Sequence, residues 1–470
     1  PAAHAGLLAG ARLAVGVALL LPYAAALAAL LRMGGWDEPA LLAWFAAPAL
    51  EPRLVLTVAS AVVVPVPLVL ALEALLVRAL APRDHGAMSL RSAAHVRVTI
   101  ATDVARRACV WLSGTLLYPR WLRLAGMRVG RNCEISTLID LVPPLVTIGD
   151  ESFLADGIYL GGPELLGGTA TLAPTRLARD TFVGNHAVIR AGARLAPGVL
   201  IGVCTVAEPE RIEPGSAWFG HPPFELARRA ETGFDRSVTH DPSTLRRVTR
   251  WFWESARVVL PAPLAALLIA WLAIAGSAAA PAPPAVHLAA ACWATLVCAA
   301  AAVTSILALK WTLVGRVRPA EHPLWSCWCS RWDFLYVAWG RIARRVLAEL
   351  QGTLLLNACL RAFGVRIGRG VLLGAGFAQV VDPDMLAFED GATVCASFQA
   401  HTFEDRVLKL GPIRIGREAS VGTQAVLLYG AVVGDGARVA PHGVVLKGER
   451  LAAGGEAAGV PTRPTTPGVS

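Results

Sequence analysis

The sequence predicts a chain of mixed membrane α and all-β class, in which two tandem left-handed parallel β-helices of hexapeptide repeats each follow a two-helix transmembrane hairpin. Three observations carry this expectation. Hydrophobic residues make up 55% of the 470 residues and charged residues only 16%, with a mean hydropathy of +0.53, too apolar for a water-soluble chain of this length. The two halves align with each other at a lag of about 237 to 240 residues. Within each half an aliphatic residue recurs at every sixth position.

The membrane segments come first in the chain. Leu13 to Leu31 and Leu54 to Leu72 are long and apolar enough to cross a bilayer, and Val258 to Leu309 contains no Asp, Glu, Lys or Arg. Pro-Ala-Pro-Pro at 281 to 284 divides that last stretch into two helices of roughly 20 residues each. Basic residues crowd the outer ends of both hairpins: Arg78, Arg83, Arg106 and Arg107 at the first, Arg246, Arg247, Arg250, Arg257, Lys310, Arg316 and Arg318 at the second. The tips are nearly neutral, so the positive-inside bias places the polar lobes on the cytoplasmic side of the inner membrane. The net charge of +9 is therefore read as lipid-facing and topological, and nucleic acid is not expected as a partner. Nine cysteines show no repeated C-x-x-C spacing, which predicts neither a zinc site nor a disulfide framework. With no initiating Met and no leader pattern before Leu7, Pro1 reads as an internal point of a longer polypeptide.

The repeats follow. Arg123 to Arg131 answers Arg361 to Arg369, Gly114-Thr115 answers Gly352-Thr353, and Asp84-His85 with Ser89 is set against Glu321-His322 with Ser326. The six-residue step runs through Val129, Ile135 and Leu141, then Ile148, Leu154 and Leu160, then Leu177, Val183, Ile189, Leu195 and Ile201. In the second half it runs through Ile367 and Leu373, then Ile415, Val421, Leu427, Val433, Val439 and Val445. Such a step with small residues between is the sequence form of a triangular parallel β-helix, because each aliphatic side chain fills a narrow prism and only small residues pass its corners. The aromatic and arginine-rich stretch Trp325 to Arg345 reads as a helix lying in the membrane interface. The chain thus divides into a hairpin over 1–82, an interfacial segment over 83–128, a β-helix over 129–223, a linker over 224–257, a hairpin over 258–310, an interfacial segment over 311–366, a β-helix over 367–450 and a flexible tail over 451–470.

The six-residue step breaks between Ala400 and Ile415, and the break predicts a loop leaving the prism with His401 at its base. Glu404 and Asp405 follow three and four residues on, close enough for one carboxylate to hold the imidazole and set its tautomer. His401, Glu404 and Asp405 are the expected catalytic residues, with Gln399, Arg406 and Lys409 beside them to hold substrate. At a lag of 240 the first half has Gly161 opposite His401 and no base in its loop except Glu164, so its lobe is expected to be structural. His186, His221 and His442 read as corner or turn residues.

Leu-Val-Thr-Ile-Gly-Asp at 145 to 150, Phe-Val-Gly-Asn-His-Ala-Val at 182 to 188, Trp-Phe-Gly-His-Pro-Pro at 218 to 223 and His-Thr-Phe-Glu-Asp-Arg at 401 to 406 resemble one family. It is the C-terminal membrane region of the epsilon-poly-L-lysine synthetase type of nonribosomal peptide synthetase, and the resemblance covers essentially the whole chain. The resemblance implies isopeptide bond formation from an aminoacyl thioester on a carrier domain to an amine acceptor, with His401 as general base. No cofactor is expected in this region, the donor arm being the phosphopantetheine of an upstream carrier, and a homo-oligomer is compatible with the class. The chain departs from the family in having no adenylation or Gly-Gly-x-Ser carrier motif, and two soluble lobes where three are described. Two rival readings stand beside it: a free-standing acyl-CoA-dependent membrane acyltransferase, and a non-catalytic membrane scaffold.

Overall fold

The structure is a computed structural model that describes residues 2–226, 233–277 and 282–465. Pro281 of the expected helix break, residues 227–232 of the expected linker and residues 466–470 of the expected tail lie outside the described residues. The chain separates into two compact units, one of Pro1–Ala29 with Ala61–Ala230 and the other of Leu30–Ser60 with Glu231–Ser470.

Four helical stretches are long and apolar enough to cross a membrane: His4–Met33, Pro52–Leu80, Arg236–Ala275 and Pro284–Val314. The second is interrupted between Pro52–Val63 and Val66–Leu80, where Pro65 and Pro67 supply no N–H to the helical ladder. The tip of the first hairpin holds a further helix, Glu38–Ala46, absent from the sequence reading. Asp37 starts it by accepting a hydrogen bond from Ala40 N at 3.0 Å, with Pro39 in the first turn.

In the first unit, successive short strands enter three sheets in turn. Val129, Ile148, Leu177 and Leu195 stand in one parallel register, and Ile135, Leu154, Val183, Ile201 and Trp218 in a second. The third contains Leu138–Ile139, Ile158–Leu160 and Val188–Ile189. Its first strand precedes Leu141, the position the six-residue step predicts, so the step slips there.

The second unit repeats the plan: Ile367, Phe388, Ile415, Val433 and Leu451 form one row, Leu373, Val394, Val421, Val439 and Ala457 another, Phe398, Leu427 and Val445 the third. These side chains are buried or half-buried, and they form the apolar core of the coil. The expected tail from 451 is instead ordered to 465, because Arg450–Leu451 and Glu456–Ala458 extend two of the sheets and Arg463–Pro464 closes one edge antiparallel. His186, Gln424 and His442 occupy left-handed backbone positions between strands, as corners require.

In each unit an antiparallel hairpin leaves the coil and joins a strand that precedes a long helix. In the first unit, Glu164–Leu166 pairs with Thr169–Leu172, which in turn pairs with Gly86–Ser89; in the second, His401–Glu404 pairs with Val407–Leu410, which pairs with Ala320–Pro323. The helices that follow are Ala93–Leu112, capped by Ser92, and Cys327–Ile342, capped by Ser326. Ser326 therefore corresponds to Ser92, not to Ser89. The second helix, within the stretch expected to lie in the interface, turns one face into the protein. Leu335, Ala338, Trp339 and Ile342 are buried in the core, and Trp339 Nε1 donates to the Ala378 carbonyl at 3.0 Å.

Candidate active site

The break in the repeat at 401 is a two-stranded hairpin rather than an open loop. Asp405 and Arg406 both take left-handed backbone conformations, φ 45° and 59°, the pairing that a tight two-residue turn between twisted strands demands. Side chains therefore alternate across the hairpin with period two. His401 and Phe403 share one face with Leu408, Leu410 and, on the neighbouring strand, His322; Thr402 and Glu404 face the other way with Lys409 and Glu321.

This alternation separates the residues that the sequence reading groups together. Glu404 is bonded to Lys447 at 2.5 Å and Lys409 at 2.9 Å, and it accepts from the Tyr429 hydroxyl at 3.3 Å. Burial works to raise its carboxyl, but the hydrogen bonds and charges of Lys447 and Lys409 outweigh burial and hold it below the ordinary glutamate value. Burial, and then the Glu404 charge, push the Tyr429 phenol up to about 12. Lys409 reaches Glu321 at 3.7 Å as well. Asp405 at the tip lies 3.9 Å from His240 Nε2, Arg406 is buried with its carbonyl accepting from Leu324 N, and Gln399 sits in the coil wall beside Leu428. None of the five stands against the imidazole of His401.

That place is taken by Asp382. His401 Nδ1 lies 2.7 Å from Asp382 Oδ2, and the other oxygen, Oδ1, accepts from Trp332 Nε1 at 2.7 Å. The Asp382 side chain is fully buried, at 0% exposure, while His401 retains 19%. Asp382 heads a tight turn, Pro383–Met385, in the left-handed region at φ 56°, a conformation that Asp tolerates better than most residues. The turn is anchored from the far side: Asp384 pairs with the buried Lys310 at 2.9 Å and accepts from Val317 N at 3.1 Å.

An aromatic ladder completes the surroundings. Trp328, Trp332 and Tyr336, each one helical turn after the last, stack at 6.5 Å and 6.2 Å between ring centres. His322 stacks on Trp328 at 3.9 Å, and the His401 ring meets Trp332 edge-on at 4.9 Å. Burial pushes the His322 imidazole down from its ordinary value, against the pull of the Asp382 charge, so the ring is neutral near pH 7. Among the described residues no group of three or more His, Cys, Asp or Glu side chains is placed to hold a metal ion.

The delta-poly-L-ornithine synthetase of Acinetobacter baumannii (strain AB307-0294) is 33% identical to this chain over 392 residues, which cover 81% of the chain. The chain is thus similar to part of one poly-amino-acid synthetase. It spans 29% of the length of that relative. No family model matches. Among solved structures, a hexapeptide-repeat acetyltransferase of Vibrio cholerae is 14% identical, with 36% of this chain and 91% of that one covered at a TM-score of 0.20. A serine acetyltransferase of Neisseria gonorrhoeae in complex with serine is 16% identical, with 48% and 100% covered at 0.18.

In the first unit the corresponding positions are apolar. Carried one residue beyond Glu164 and Thr171, the hairpin register sets Pro163 beside Leu172, where the second unit has His401 beside Leu410. Pro163, not Gly161, is thus the counterpart of His401. Val142 heads the turn Pro143–Leu145 as Asp382 heads Pro383–Met385. Met88 stands in register where His322 does, and Val98 follows its capping serine at the distance Trp332 follows Ser326. Asp382, Trp332 and His322 escape the sequence reading as site residues, although a signal existed: at the lag of 240, Asp382 stands opposite Val142, an acid replacing an aliphatic residue.

Proposed function

We propose that this chain is the membrane-embedded, amide-forming region of a nonribosomal peptide synthetase, which joins amino acids by isopeptide bonds on the cytoplasmic side of the inner membrane. The two coils are read as left-handed hexapeptide-repeat β-helices, the second catalytic and the first structural. The observation that carries this reading is the Asp382–His401 pair, with Trp332 behind it, in one unit and Val142, Pro163 and Val98 in the other.

Because Nδ1 of His401 faces a buried carboxylate, Nδ1 carries the proton and Nε2 is left with a lone pair. Nε2 takes a proton from the acceptor amine as its nitrogen attacks the carbonyl of a carrier-bound aminoacyl thioester. A C–N bond forms, the C–S bond breaks, and the proton held on Nε2 passes to the departing thiolate, so the imidazole returns to its starting state. Asp382 stabilises the imidazolium formed between those steps. Trp332 fixes the carboxylate by holding its second oxygen. A carrier domain and an amine acceptor are the partners this chemistry needs.

The test is single-turnover amide formation with loaded carrier and His401→Ala. A loss of about 10² to 10⁴ in rate is expected for removal of a general base. Full activity in that variant overturns the assignment. Turnover with a free acyl-CoA as efficient as with the loaded carrier replaces the donor proposed here by that of a stand-alone acyltransferase.

A further inference from the structure

The helix Thr244–Ala256, in the stretch that reads as a linker, is amphipathic the wrong way round for a helix in water. The charges of its second half are turned into the protein, Arg247 before them being exposed: Arg250 and Glu254 are buried and bonded at 2.7 Å, the Arg250 guanidinium lies 4.7 Å over the Trp325 ring, and Arg257, just beyond the helix, is buried against Asp333. Its apolar side is turned out. Leu245, Val248 and Phe252 are 75%, 57% and 65% exposed, and Val259 after the helix is 53% exposed. At 100° per residue these four fall on one stripe, opposite Arg250, Glu254 and Arg257.

A helix surrounded by water buries such a stripe and exposes its charges; the reverse arrangement is favoured where the outside is less polar than the inside. The chain itself says what that outside is. Thr244–Ala256 continues through the turn Arg257–Val259 into the apolar helix Pro261–Ala275, and all of it falls within one candidate membrane span. We infer that Thr244–Ala256 lies in the plane of the bilayer surface, with Leu245, Val248 and Phe252 among the acyl chains and its buried charges facing the protein. The same helix braces the one that carries Trp332. Trp253 packs on Phe334 at 5.5 Å, Arg246 Nη1 donates to the Trp325 carbonyl at 3.0 Å, and Arg257 pairs with Asp333. The helix so anchored holds the aromatic ladder beside the membrane surface.

The experiment uses the full chain in vesicles of phosphatidylethanolamine and phosphatidylglycerol, with p-benzoylphenylalanine placed singly at Phe252, at Leu245 and, as a reference, at Arg438 on the coil, whose side chain is 71% exposed. After irradiation, adducts are resolved by mass. Phospholipid adducts at both helix positions, at least about ten-fold above those at Arg438, are expected for side chains seated among acyl chains. Chain-to-chain adducts at Phe252 and Leu245 assign the stripe to a second copy and overturn the inference. Lipid adducts no more abundant than at Arg438 overturn it as well. The readout is independent of amide formation, so it stands or falls apart from the catalytic reading.

Discussion

Asp382→Asn perturbs the proposed site without changing its shape, and its effect follows from two hydrogen bonds. Both carboxylate oxygens are engaged at 2.7 Å, one by Trp332 Nε1–H and one by His401 Nδ1. Trp332 can only donate, so the asparagine must turn its carbonyl oxygen toward Trp332 and its NH₂ toward His401. The imidazole then has to accept at Nδ1, which moves its proton to Nε2, the atom that must take a proton from the amine. The variant therefore holds the wrong tautomer and also lacks the negative charge that stabilises the imidazolium. The expected loss in kcat is about 10² to 10⁴, the range for general-base catalysis, or roughly 3 to 5 kcal/mol on the barrier. Stability falls by much less, about 1–2 kcal/mol, because a charge-assisted bond is exchanged for a neutral one in the same geometry. The assay is single-turnover amide formation at saturating acceptor, alongside thermal unfolding of the purified chain. KM for the acceptor stays unchanged, since Asp382 is fully buried and reaches substrate only through His401. An Asp382→Asn chain that retains kcat within about three-fold refutes the reasoning, because a base held in the wrong tautomer costs far more than that.

Trp332→Phe keeps a ring beside His401 but leaves Asp382 Oδ1 without its donor; kcat falls about ten-fold with KM unchanged, while the buried acceptor costs roughly 1–3 kcal/mol of stability in thermal unfolding. Glu404→Gln separates the site from the charged face behind it. Its rate of amide formation stays within about three-fold of the parent, since period-two alternation keeps Glu404 off the His401 face. Its pH dependence of stability changes: the folded Glu404 carboxyl lies below its ordinary value of 4.5, so its stabilisation is present above that value and is lost as pH falls through the depressed one. Melting temperatures across the acid range check this, and the parent loses more than the Gln variant. Lys310→Met strands the buried Asp384 carboxylate; it destabilises by about 3–5 kcal/mol in denaturant unfolding and lowers kcat through displacement of the turn that carries Asp382.

The stacks of short parallel strands were legible in the sequence because each strand repeats one simple demand, an apolar side chain turned inward. The step missed row members that are aromatic, Trp218, Phe388 and Phe398, and Val394 between them, and it failed where the demand lapsed. At Leu141 the chain enters its strand early, and from 451 to 464 small residues such as Ala457 continue the row without looking like part of it. The spans were legible for the same reason of bulk apolarity, whereas the short helix Glu38–Ala46 rests on one cap at Asp37. His401 was legible as a break in a period. Its partner was not, because nearness along the chain was taken for nearness in space: in a hairpin, residues three apart point to opposite faces.

Composition and periodicity alone thus determined the class of this chain: four apolar helices long enough to cross a membrane, two sets of stacked parallel strands on six-residue steps, and a histidine where the second set is interrupted. Those features depend on local, repeating preferences that each segment expresses by itself. Tertiary structure decided what that histidine meets. Asp382 is nineteen residues away and Trp332 sixty-nine, and they converge on His401 only because one turn of the coil returns the chain to the same edge and a helix packs across it. The direction of Thr244–Ala256 was likewise set by packing, since a helical pattern fixes which residues share a face but not which face turns toward the protein.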